Sequence, residues 1–347
     1  MKIGVLTGGG DCPGLNAVIR AVVRKGTFHY EDDFVGFMEG WRGLLENITM
    51  PLDLATVGGI LPRGGTILRT SRTNPSKHGD GLQRCAANLK QNGCDALIAI
   101  GGDDTLSVAQ KLFANGVKVV GVPKTIDNDL EGTLFTFGFD SAVSCATDAL
   151  DRLHTTAESH DRVMVLEVMG RYAGWIALYA GVAGGADVIL IPEIPFNYES
   201  VCAKIQLRDS LGKKFTIIIV AEGAREKDGG FVTSGAQTEI GEARLGGIGA
   251  IVSAGVEKRT DKESRVCVLG HLQRGGSPTT FDRALCSMFG ATAVELIAAG
   301  EFGKMVAFNG PQIGAIKISD AIGKLKTVRP DGNLVRTARA LGICFGD

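Results

Sequence analysis

Ala96-Leu97-Ile98-Ala99-Ile100-Gly101-Gly102-Asp103-Asp104-Thr105 is an apolar run of strand length that ends in two glycines and two carboxylates and leads into a segment of helical pattern. A strand that is apolar at nearly every position, rather than at alternate ones, is covered on both faces, as in a parallel sheet flanked by crossover helices. The runs 3–6, 117–122, 163–168, 188–191, 215–220 and 266–269 read in the same way and alternate with longer segments of helical pattern. The expected fold class is α/β with mainly parallel sheets. In such sheets ligands bind beyond the carboxyl ends of the strands, where the strand order reverses, so the strand-to-helix loops are the place to look for function. Segments 30–47, 58–78 and 227–249 are Gly-rich or polar and less regular, and are expected to be flaps or inserted hairpins rather than core layers. The tripeptide Gly-Gly-Asp stands at both 9–11 and 101–103, which suggests two loops converging on one ligand.

A chain of 347 residues, 44% hydrophobic, can bury a sizeable core and is expected to divide into two domains. The net charge of -1 provides no global field for nucleic acid or for an anionic membrane, so a bound anion must be held by locally placed Arg and Lys, and the expected partner is small. Met1-Lys2 runs straight into the strand-like 3–6, and no apolar run reaches membrane-spanning length, so a cytoplasmic protein is expected. The 8 cysteines include no Cys-x-x-Cys pair, which disfavours zinc and reads as buried thiols in a reducing compartment.

Three loops carry the chemistry. Thr7-Gly8-Gly9-Gly10-Asp11-Cys12-Pro13-Gly14 joins a strand to a helical segment, so its backbone N–H groups can face a phosphate or simply make a turn. It lacks both the Gly-Lys-Ser/Thr ending of a Walker A loop and the Gly-x-Gly-x-x-Gly spacing of a dinucleotide loop. Gly101–Thr105 repeats that geometry with two carboxylates. Asp103 is a candidate Mg²⁺ ligand, because carboxylates facing phosphate need a cation between them; one of Asp103 and Asp104 can instead be a helix N-cap. Lys124-Thr125-Ile126-Asp127-Asn128-Asp129 packs a cation, a hydroxyl and two carboxylates into one loop. An alcohol attacking phosphorus loses a proton, and Asp127 or Asp129 can take it while the other holds metal; the plain alternative is an Asx-turn. Arg72, Arg162, Arg171, Arg265 and Arg274 stand in loops or at strand starts, where guanidinium forks suit phosphate oxygens. His271 and Glu222 are candidates for hydrogen bonds to sugar hydroxyls, or are structural.

Gly9-Gly10-Asp11 through Gly14, Gly101-Gly102-Asp103, Thr125-Ile126-Asp127-Asn128-Asp129, Met169-Gly170-Arg171 and Gly270-His271-Leu272-Gln273-Arg274-Gly275-Gly276-Ser277-Pro278, taken together, resemble the phosphofructokinase family in order and spacing over nearly the whole chain. The resemblance implies phosphorylation of fructose 6-phosphate to fructose 1,6-bisphosphate by two similar three-layer α/β domains with the active site in the cleft between them. These are expected at 1–138 plus about 273–323, holding the phosphoryl donor, and at 139–272 plus about 324–347, holding the sugar phosphate. It implies that Asp127 is the base on the sugar 1-hydroxyl, that Thr125 contacts the transferred phosphoryl, and that Arg171 stabilises its developing charge. Asp103 and Asp129 would serve Mg²⁺. Gly10, Arg72, Gly102, Asp103, Asp104, Thr105 and Lys124 would hold the donor. Thr125, Asp127, Asp129, Met169, Gly170, Arg171, Glu222, His271 and Arg274 would hold the sugar, with Arg162 and Arg265 reaching its phosphate from a neighbouring subunit, which implies a homodimer or homotetramer with shared sites.

Departures from the pattern bear on the donor. Relatives that use ATP carry Gly-Gly-Asp-Gly where this chain has Asp104 in the last position. A carboxylate about 4 Å from a phosphate charge adds roughly 4 kcal/mol of repulsion at an effective dielectric near 20. With Lys124, and with Val108 expected to narrow the pocket for the base, Asp104 points to inorganic pyrophosphate as donor and to a readily reversible reaction; an ATP-dependent enzyme is the alternative. A kinase of another small molecule and a silent sugar-phosphate sensor are further alternatives, against which the 271–278 motif and the Thr125, Asp127, Arg171 set argue. Arg20, Arg24, Lys213 and Lys214 resemble parts of a bacterial effector pocket, but Leu54 and His154 replace expected arginines, so such control is not expected.

Overall fold

A computed structural model describes residues 1–237 and 243–347. The chain divides into two compact units, Met1–Ser141 with Arg274–Leu325, and Ala142–Gln273 with Lys326–Asp347.

The first unit holds a seven-stranded sheet. In chain order its strands are β1 (Lys2–Thr7), β2 (Asp33–Phe37), β3 (Thr49–Leu52), β4 (Ala96–Gly101) and β5 (Val119–Pro123), then β12 (Lys304–Phe308) and β13 (Ile313–Lys317). The spatial order is β13-β12-β5-β4-β1-β2-β3. Pairing is parallel from β12 to β2, and only β3 and β13 at the edges run antiparallel. Every residue of β4 is buried, which is why the run reads as continuous apolarity. Each large aliphatic side chain so buried contributes about 1.5–3 kcal/mol as an upper figure. Helices Leu15–Tyr30 and Thr280–Ala298, and on the other face Gly81–Gln91 and Asp103–Ala114, supply the covering residues.

The expectation that 30–47 lies outside the core layers is corrected here: β2 sits inside the sheet beside β1, with Phe34 and Phe37 buried. The run leaves little trace in the sequence because it is short and broken by Gly36, where a Cβ would lie 2.3 Å from Leu68 Cδ2. Strands β12 and β13 are likewise additions to the expected set. Segment 58–78 holds only turns and the short 3₁₀ helix Pro75–Lys77.

The second unit holds a four-stranded, wholly parallel sheet of β6 (Val163–Val168), β7 (Val188–Leu190), β8 (Thr216–Ala221) and β11 (Ser264–Val268), in the order β11-β6-β8-β7. Its core gathers Val165, Leu190, Phe196, Ile218 and Val252. The segment after β8 forms an antiparallel hairpin of β9 (Thr233–Gln237) and β10 (Ala243–Leu245), as the reading of 227–249 expects; residues 238–242 lie outside the described ones.

The strand orders locate the ligand-binding ends. In the first unit the chain moves from β1 to β2 on one side and later returns to place β4 on the other, so the order reverses between β1 and β4. The two loops that open there are the two Gly-Gly-Asp loops. In the second unit the reversal falls between β6 and β11, whose loops begin with Met169-Gly170-Arg171 and with Gly270-His271. In open α/β sheets it is at such reversal points that ligands bind.

Candidate active site

In the first unit three loops meet beyond β1, β4 and β5. Gly8 N–H donates to Ile100 O at 2.9 Å and Lys124 N–H to Gly101 O at 3.0 Å, so all three are stitched together by their backbones. Thr105 is 2% exposed. A Cβ on Gly8 would lie 2.5 Å from Thr105 Oγ1, and one on Gly101 would lie 2.3 Å from Thr105 Cβ. The glycines are therefore needed because the loops close over the threonine, which the structure places beneath them.

Helix Asp103–Ala114 starts from Gly102 at its N-cap, without a side-chain cap, and carries Asp103 and Asp104 in its first turn. The alternative that one aspartate is the cap is thereby excluded; both carboxylates sit where the helix dipole favours negative charge. Asp103 Oδ1 accepts the Gly323 N–H at 2.7 Å, and both aspartates are exposed. Val108 is 1% exposed and belongs to the core of this unit.

Lys124 is 4% exposed and its Nζ donates to Gly10 O at 2.5 Å. Burial pushes its amine below the usual lysine range; Arg274 acts in the same direction, while Cys12, Asp127 and Asp11 oppose it. Arg274 lies against the same loop: a Cβ on Gly10 would be 2.6 Å from its Nη1, and that nitrogen donates to Asp11 O at 3.2 Å. Gly10 is thus the floor on which both cations rest. Arg72 stands exposed in its own loop.

Asp127 is 5% exposed. Its N–H donates to Thr125 Oγ1 at 3.1 Å, and Thr136 Oγ1 donates to Thr125 O at 2.7 Å. Asn128 takes the left-handed conformation at φ 52, accepts the Thr136 N–H at 3.0 Å and donates to Leu134 O at 3.2 Å. Asn128 and Thr136 are scaffold of this loop that the sequence reading does not assign. Asn enters this conformation readily, which is the signal available for it. Asp129 is half-buried in the same loop.

In the second unit Arg171 has φ 49, a conformation that costs a side-chain-bearing residue about 1–2 kcal/mol. Two neighbours hold it there. Glu222 Oε1 accepts the Arg171 N–H at 3.0 Å, and Arg171 O approaches Gly223 so closely that a Cβ would lie 1.9 Å away. Burial raises the Glu222 carboxyl above its ordinary value, against the backbone hydrogen bonds of Arg171 and Gly170. Met169 N–H donates to Gln273 Oε1 at 3.3 Å, and Gln273 Nε2 donates to Gly270 O at 3.0 Å, which joins the loops after β6 and β11. Gln273 is 1% exposed; it ties these two loops together, inside the 270–278 motif but without an assigned role in the sequence reading. His271 is exposed on the 3₁₀ turn Gly270–Arg274.

Arg162 and Arg265 come together on one carboxylate: Arg162 Nε donates to Glu263 Oε2 at 2.7 Å, and Arg265 Nη2 pairs with Glu263 Oε1. Glu263 is an addition to the expected set. Glu167 is 3% exposed and accepts the N–H groups of Gly247 and Gly249 at the start of helix Ile248–Thr260. Among the cysteines, Cys12, Cys85, Cys202 and Cys286 are buried and the other four are half-buried, so the expectation of core thiols holds for half of them. Among the described residues no group of three or more His, Cys, Asp or Glu is arranged to hold a metal ion, and no helix is long and apolar enough to cross a membrane.

Glycine loops and a helix start joined by backbone hydrogen bonds to an acidic Thr-x-Asp loop mark a phosphoryl-transfer protein. The chain belongs to the phosphofructokinase family, whose model matches residues 2–297. It is 58% identical over 95% of its length, and 97% of the relative's, to a pyrophosphate--fructose 6-phosphate 1-phosphotransferase of Streptomyces coelicolor. It is 52% identical, at the same coverage, to an ATP-dependent 6-phosphofructokinase of the same organism. Among solved structures it resembles phosphofructokinase of Pichia pastoris, with a TM-score of 0.83 and 30% identity over 92% of this chain; it spans 35% of that longer chain.

Proposed function

We propose that the protein transfers a phosphoryl group from inorganic pyrophosphate to the 1-hydroxyl of fructose 6-phosphate, reversibly, giving fructose 1,6-bisphosphate and phosphate. Asp104 carries the choice of donor. It stands in the first turn of the helix that opens at the reversal point of the first sheet, where ATP-using relatives have glycine, and a carboxylate there fills and charges the space for a nucleotide's inner phosphate. The similarity at 58% to a pyrophosphate-dependent relative supports the same donor.

Asp127 takes the proton of the attacking hydroxyl, from a loop held by the Thr125 and Asn128 hydrogen bonds. Thr125 contacts the transferred group, and Arg171 neutralises charge as it develops. Gly10, Gly102, Arg72, Thr105 and Lys124 shape the donor site in the first unit. Met169, Gly170, Glu222, His271 and Arg274 serve the sugar. Magnesium is the metal that the family implies; Asp103, whose carboxylate accepts the Gly323 N–H, and Asp129 would offer it hard oxygens. When bound, the ion would neutralise pyrophosphate oxygens. Arg162 and Arg265, gathered on Glu263, serve the sugar phosphate of a neighbouring subunit in a cytoplasmic homodimer or homotetramer.

Parallel assays with pyrophosphate and ATP decide the donor: turnover with pyrophosphate is expected, together with formation of pyrophosphate from fructose 1,6-bisphosphate and phosphate. Turnover with ATP alone would replace this reading by the ATP-dependent one, for which the relative at 52% identity speaks.

A further inference from the structure

The segment between Glu222 and Arg265 has no part in the chemistry above, yet its foot lies against the loop that carries Arg171. After β8 the chain is pinned to buried Phe196, whose N–H donates to Arg225 O at 3.0 Å and whose carbonyl accepts the Lys227 N–H at 2.6 Å. It then reaches Phe231 and Val232. At the far end Gly246 N–H donates to Val232 O at 3.4 Å, and Gly247 and Gly249 donate to Glu167 of β6 at 2.9 and 2.7 Å. The insert is therefore fastened at one end through Phe196 and at the other to β6, the strand whose loop presents Arg171.

From this foot Phe231 meets Tyr172, the residue after Arg171, edge to face, with centroids 5.2 Å apart at 70°. The Arg225 guanidinium stands 5.6 Å from the Phe231 centroid. Both rings keep considerable exposure, 43% for Phe231 and 37% for Tyr172, so their contact is not enforced by a surrounding core. What it touches is a strained turn: Arg171 has φ 49 and is held on its other side by Glu222 and Gly223.

We propose that Phe231 is a positioning residue: by packing on Tyr172 it completes the clamp that keeps Arg171 in its left-handed conformation, so the insert serves catalysis through the arginine. This rests on the role given to Arg171 above. An aromatic pair lost from such a clamp should lower kcat roughly fivefold. Phe231→Ala is therefore expected to lower kcat by that factor with KM for fructose 6-phosphate nearly unchanged, and Phe231→Tyr to restore it. Made in an Arg171→Ala background, Phe231→Ala should cause no further loss, because its effect passes through the arginine. An unchanged kcat in Phe231→Ala, or an equal loss in both backgrounds, overturns the proposal. Full turnover by Arg171→Ala alone would instead remove the catalytic role of Arg171 itself, and with it the need for a clamp. Denaturant midpoints of the parent and of all four variants report separately on folding.

Discussion

The two reversal points differ in their means. In the first unit the loops are glycine, backbone amide and helix start, with Lys124 buried under Gly10 and Arg274 laid over it. In the second unit side chains dominate: Arg171 is strained against Glu222 and Gln273 ties the loops after β6 and β11, while Arg162 and Arg265 share Glu263 at the opposite, amino ends of the same two strands. The first arrangement suits a compact polyanion, which can be wrapped by N–H groups wherever no side chain intervenes. The second suits a sugar phosphate, whose hydroxyls and single phosphate need separately aimed donors and acceptors. The two sheets differ in strand number and order, and at their reversal points in how many side chains the loops keep.

The comparison breaks most visibly at the base. Asp127→Ser should cut kcat by roughly 10³-fold, within the usual reach of general base catalysis, while fructose 6-phosphate still binds; calorimetric titration beside steady-state kinetics checks both. Arg171→Ala is next, with a loss of about 10²-fold in kcat because it removes charge stabilisation made mainly in the transition state. Retention of normal turnover in either variant would place the chemistry elsewhere.

Asp104→Gly tests whether the first unit's crevice selects its donor by an added side chain. The ratio of kcat/KM for ATP to that for pyrophosphate should rise roughly ten- to a hundredfold, less than the unscreened repulsion because the carboxylate is exposed. The smallest effect concerns the scaffold. Asp282 is fully buried, accepts the Gly138 and Ser141 N–H groups and the Ser141 hydroxyl, and burial raises its carboxyl to about 6. A carboxyl raised on folding favours the protonated form, so its contribution is complete below about pH 4 and is lost as pH rises through about 6. Urea unfolding of Asp282→Asn at pH 4 and pH 6 should show that difference reduced by roughly 1–3 kcal/mol relative to the parent. An unaltered difference would mean that the hydrogen bonds outweigh burial.

Much of the fold and of the candidate site is legible in the sequence. Residues 96–105 announce a buried strand, a glycine turn and a helix start, because full burial and tight turns leave direct marks on residue type. The loops after 122 and 168 are equally plain. Strand β2 is not, since five residues interrupted by Gly36 carry too little pattern. The N-cap alternative for Asp103 or Asp104 fails because Gly102 takes that position, and Val108 turns inward because helix phase, not proximity in sequence, sets which face meets the core.

The sequence by itself determined the family, the strand-loop-helix order and the chemical inventory of the loops, since these depend on local periodicity and on which side chains are present. Tertiary structure alone decided which distant loops become neighbours. It set the Gly9–Asp11 loop beside Gly102, turned Lys124 onto Gly10, bent Arg171 against Glu222 and gathered two arginines on Glu263. The reason is that strand pairing and the partners demanded by buried charges are satisfied from anywhere along the chain, and periodicity records only that a residue is buried, not against what.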